Sequence, residues 1–141
     1  MTTLSKGVLR SLLLAALLAL GDWPAAAQPV LDENSQRLLV DAVTAAAELD
    51  LYNARCRSDQ SGRSTNNLNK ILASKFRLTV LKVQDDLFPD GSYRQVQARL
   101  QEQFLNRLKE VGGCTGAKSS GMPAQLGDRY DSLTREIERL P

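Results

Sequence analysis

The sequence predicts an all-α fold: a four-helix up-down-up-down bundle with one disulfide, following a cleaved signal peptide. Three observations predict it. Apolar residues recur every three to four positions in four separate stretches, and no stretch alternates as a strand would. Proline and glycine punctuate the chain between those stretches. The only two cysteines, Cys56 and Cys114, fall where two of the expected helices end.

The first residues have the three parts of an export signal in order. Lys6 and Arg10 give a positive start, Ser11 to Leu20 (SLLLAALLAL) an apolar run, and Ala25-Ala26-Ala27 the small residues a peptidase needs. Cleavage is expected after Ala27, which divides the chain into a signal, 1–27, and a single helical domain, 28–141. The apolar run is roughly half of the ~20 residues that a membrane span requires, so no stable membrane anchor is expected. Removing 27 of the 141 residues leaves 114, enough for one hydrophobic core. The formal charge of +2 falls to +1 when Lys6, Arg10 and Asp22 leave with the signal.

The first helix is expected from about Asp32 to Arg57, with a stripe of Leu38, Ala42, Ala45, Leu49, Tyr52 and Cys56. Asp32 or Asn34 can cap its start. Ser58 to Arg63 is a polar break, and Ser64 or Thr65 can cap a second helix that runs unbroken to about Leu87. Its main face is Leu68, Leu72, Phe76, Thr79 and Val83. Phe88-Pro89-Asp90-Gly91 stops it, because proline lacks the N–H that would continue the ladder.

Ser92 can cap a third helix with Val96, Leu100, Phe104, Leu108 and Val111 inward, ended by Gly112-Gly113. Thr115 to Pro123, rich in glycine and serine, is expected to be a loop. A fourth helix carries Leu126, Tyr130, Leu133, Ile137 and Leu140. In an up-down-up-down order the first and third helices finish at the same end of the bundle. That is where a Cys56–Cys114 bridge would form, and an exported chain makes such a bridge the economical reading.

Composition argues against catalysis, metal and cofactor. The chain has no histidine, which removes the usual general base and the commonest metal ligand. Asp85 and Asp86 diverge by about 100° on a helix, so they do not face one gap. Gly112 to Ser119 (GGCTGAKS) resembles a phosphate-binding loop, but Ala117 stands where a glycine must let the backbone wrap a phosphate, and no strand precedes it. No cofactor, metal site or enzyme activity is expected. A near-neutral chain with six aromatic residues after Ala27 gives no case for nucleic acid.

A binding role remains. Residues 55–82 hold seven basic residues against the single acid Asp59. Within them Lys70 and Arg77 share one ridge of the expected second helix, Lys75 and Lys82 a second, and Ile71, Leu78 and Leu81 widen its apolar arc. Two neighbouring helices can absorb that width; otherwise Lys70, Ile71, Arg77, Leu78 and Leu81 form a partner surface. The expected partner is a protein of the cell envelope or outside the cell, with a homodimer also allowed. The expected location is the periplasm, with secretion as the alternative. Inhibitor, immunity, chaperone and assembly-subunit roles all fit. The alternative function is carriage of a small apolar ligand in the bundle interior.

Overall fold

The computed structural model describes residues 30–141, so the expected signal at 1–27 lies outside the described residues. The described residues are all-helical: α1 (Glu33–Cys56), α2 (Arg63–Phe76), α3 (Val80–Leu87), α4 (Tyr93–Glu110), α5 (Gly113–Ser119) and α6 (Met122–Arg139). None of these helices is long and apolar enough to cross a membrane.

α1 is the central element and packs against α2, α3, α4 and α6. Its start follows from Asp32, whose carboxylate accepts from the Ser35 N–H at 2.7 Å. Leu39, Ala42, Val43, Ala45, Ala46, Glu48 and Tyr52 are all buried. At 100° per residue these span well over half the helix circumference, not the single stripe that the spacing predicts. The run of alanines makes this arrangement workable, since small side chains let several helices approach one axis.

The expected second helix is two helices. Arg77 adopts a left-handed conformation, φ 55°, which ends α2. Thr79 then caps α3, accepting from the Lys82 N–H at 3.1 Å. The Asn69 side chain, a turn and more back on α2, accepts from the Val80 N–H at 2.8 Å and fixes the corner. The break shifts the buried face: Thr79 is exposed, while Val80 and Val83 are buried. No glycine or proline marks this corner, and a tertiary hydrogen bond does the work that a local breaker does elsewhere.

Thr115 to Pro123, expected as a loop, is instead mostly helical. Gly113–Ser119 is helical and buries Ala117, while Pro123 sits in the first turn of α6, where its missing N–H has no helical partner to lose. The helix-breaking composition of this segment reflects one close approach, at Gly116, and one turn, at Gly121. A Cβ placed on Gly116 would lie 1.7 Å from the Val111 carbonyl oxygen, so only glycine lets α5 fold back on the end of α4.

The buried side chains form two clusters. Leu39, Val43, Leu68, Leu72, Val83, Val96 and Ile137 lie in the larger one, with Tyr130 and Leu133 of α6, and Leu140 just past its end, packed against it. The smaller comprises Tyr52, Phe104, Leu108, Ala117, Met122 and Leu126. Cys56 and Cys114 pack against the smaller cluster and are joined by a disulfide, with Cα atoms 5.4 Å apart. The bridge ties the end of α1 to α5, so the expected pairing is present while its second anchor lies in a helix.

Candidate functional site

The most distinctive surface feature is an open groove of about 590 Å³ running along one face of α1. Val43, Ala47, Leu51 and Ala54 recur at three- and four-residue steps and form its floor. α2 and α3 give one wall with Asn66, Asn69, Leu81 and Gln84, and α4 gives the other with Gln97 and Gln101. α1 is covered around most of its circumference, and here it keeps a strip of Ala47, Leu51 and Ala54 half-buried, with Val43 closed off at one end.

The walls are held in place by the contacts that build the corners. Asp50, on the groove side of α1, accepts from the Ser64 and Thr65 N–H groups at 3.0 and 2.8 Å. It thereby supplies the cap for α2 that Gly62, at its N-cap position, lacks. Asn69 holds the α2–α3 corner from within the groove wall. Gln84 is only 2 % exposed and accepts from Gln97 Nε2 at 3.2 Å, which couples the two walls. At the mouth, Asp59 pairs with Arg63 at 2.7 Å. Hydrogen bonds from Ser61 and Arg63 hold its carboxyl well below the usual carboxylate range.

Of the surface expected on the second helix, only Leu81 reaches this groove, and it is 48 % exposed. Ile71 and Leu78 are half-buried and pack against the larger cluster, so neighbouring helices take up the extra apolar width. Lys70 and Arg77 are exposed and make no ion pair among the described residues, and the break at Arg77 separates them from Leu81. The second basic ridge does not exist as such. Lys75 donates to the Glu138 carbonyl at the end of α6, and Lys82 pairs with Asp86 at 2.8 Å.

Asp85, in the last turn of α3, and Asp90, in the turn after it, also have structural employment. Asp85 accepts from the Tyr93 N–H at the start of α4, and Asp90 takes both arms of Arg99 at 2.6 and 2.8 Å. Among the described residues no cluster of acids or cysteines is disposed to hold a metal. Glu48 escaped the sequence reading altogether. It is buried on α1 and meets Arg107 of α4 at 3.2 Å and Arg129 of α6 at 3.0 Å. A charge on an otherwise apolar helix face was its only sequence signal.

Comparison with known proteins finds no match, whether against family models, curated proteins or solved structures.

Proposed function

We propose that this chain acts without catalysis, by binding another macromolecule in the groove along α1. The observation that carries the proposal is the groove itself: a half-buried apolar strip of α1 lying between two amide-bearing walls. Its volume lies within the ~300–1,000 Å³ of typical binding clefts. Its openness and its polar rim favour a partner with polar groups of its own over a small apolar ligand held in the interior. We also read residues 1–27 as a removed signal and the four long helices as an up-down-up-down bundle. The working location is then the periplasm or the medium, where the Cys56–Cys114 bridge would persist.

Native mass spectrometry of the chain isolated gently from its own host tests the proposal. A complex of protein size is expected for the natural chain. It should be lost from Ala47→Glu and from Leu81→Asp, with melting temperatures close to the natural value. Complexes that survive both substitutions would place the binding surface elsewhere.

A further inference from the structure

We propose that α5 is a redox-sensitive latch. With the Cys56–Cys114 bridge intact it is held against the smaller cluster, and reduction by an external dithiol lets it swing away while the rest of the fold stays. The groove along α1 takes no residue from α5, so the latch is independent of the binding proposal.

α5 is weak as a helix. It has seven residues, two of them glycine, and no side chain caps its start. A helix this short is not stable by itself in water and depends on what it touches. Of its residues only Ala117 is buried. The Ser119 hydroxyl donates within the helix, to the Thr115 carbonyl, and among the described residues no side-chain hydrogen bond or ion pair joins α5 to another helix. Both ends lie at glycines in left-handed conformation, Gly112 with φ 95° and Gly121 with φ 75°. Glycine changes φ at little steric cost, so the two positions act as hinges. The disulfide is what ties this segment to α1.

The neighbours of α5 do not depend on that tie. Glu48 of α1 pairs with Arg107 of α4 and Arg129 of α6, and the Tyr130 hydroxyl of α6 donates to the Ser64 carbonyl of α2. These contacts keep α1, α2, α4 and α6 together when the bridge opens. α5 joins the smaller cluster through Ala117, so its departure brings apolar surface of that cluster to water.

Both cysteines are partly exposed, which admits a dithiol. Its thiolate bonds to one sulfur, the S–S bond breaks, and the other sulfur leaves as thiolate. The second thiol of the reductant then displaces the first. Two electrons and two protons pass to the cysteine pair, and the reductant departs as its own disulfide. Arg55 and Arg57, exposed on either side of Cys56, favour a departing thiolate.

The test is hydrogen exchange of the purified, oxidised chain before and after dithiothreitol, without denaturant. The Gly116 and Ser120 amides, which close the turns of α5, should lose their protection once both thiols become open to alkylation. Amides of residues 39–48 in α1 should keep protection factors above about a hundred. Binding of the apolar-surface dye ANS should rise, and reoxidation should reverse all three changes. The chain carrying Cys56→Ser and Cys114→Ser should match the reduced one without any reductant. A bridge that resists the dithiol in the folded chain, or α5 amides that stay protected after it opens, would overturn the latch. Protection lost across residues 39–48 as well, in the reduced chain or the double variant, would make the bridge a staple of the whole fold and overturn the proposal equally.

Discussion

Gly116→Ala gives two opposite expectations depending on whether local or tertiary forces dominate. Alanine is favoured over glycine within a helix by about 1 kcal/mol, and Gly116 lies in the middle of α5. Propensity alone therefore predicts a stabler protein. The structure predicts the reverse, because the new Cβ would stand 1.7 Å from the Val111 carbonyl oxygen. An ordinary contact of about 3.4 Å requires α5 to move by well over an ångström relative to the end of α4. It has little freedom to do so: Ala117 is fully buried, and Cys114 is bonded to α1. Overpacking costs about 1–3 kcal/mol, and an obstacle made of backbone belongs at the upper end. After subtracting the propensity gain, about 2 kcal/mol of destabilisation remains. For a domain of this size that is a fall of about 8 °C in melting temperature. Calorimetry of both chains under oxidising conditions reads it directly. An unchanged or raised melting temperature would refute the packing of α5 against α4. The same substitution made with Cys56→Ser and Cys114→Ser should cost less, because α5 is then untethered, and strict additivity would argue against that coupling.

Asp50→Ala removes the side chain that caps α2 from α1, at an expected cost of about 1–2 kcal/mol; hydrogen exchange of the Ser64 and Thr65 amides should quicken, and unaltered protection there would contradict the capping role. Arg77→Gly relieves a left-handed residue of its Cβ and should raise stability by up to about 1 kcal/mol in denaturant titration, whereas a loss would show that the arginine side chain contributes at the α2–α3 corner. Acid should destabilise the fold through Asp90. Its hydrogen-bonded partner Arg99 holds the carboxyl below the usual value of about 4. The stabilisation is therefore complete above that value and is lost as pH falls through the lowered one. The gap in melting temperature between pH 7 and about pH 2.5 should narrow in Arg99→Met, and an equal gap in both chains would remove Asp90 as a source of the acid response.

Elements closed by local chemistry were legible in the sequence. Asp32 and Ser92 cap as expected, Pro89 and Gly91 mark a real turn, and the inward faces of α4 and α6 follow the heptad-like spacing of Val96 to Leu108 and Leu126 to Ile137. What stayed hidden depends on partners distant in sequence. The corner at Arg77 is held by Asn69, the start of α2 by Asp50, and the fold-back of α5 by the space that Gly116 leaves beside Val111. A glycine-rich segment reads as a loop because glycine serves both turns and close approach, and the sequence alone does not separate the two. The groove was invisible for a related reason. Its amides belong to several elements and converge only after α1 has become the central helix. Leu81 lies off the main apolar stripe in the sequence, and in the structure it lines the groove.

The proposed function puts a partner against the α1 face between the amide walls. Site-specific photocrosslinking in the protein's own host examines that placement, with a photoreactive residue at Gln101 on the groove wall or at Arg135, exposed on α6. An adduct of protein size from position 101, absent from 135 and suppressed by Ala47→Glu, is the predicted result. Adducts from both positions alike, or from 135 alone, would contradict it.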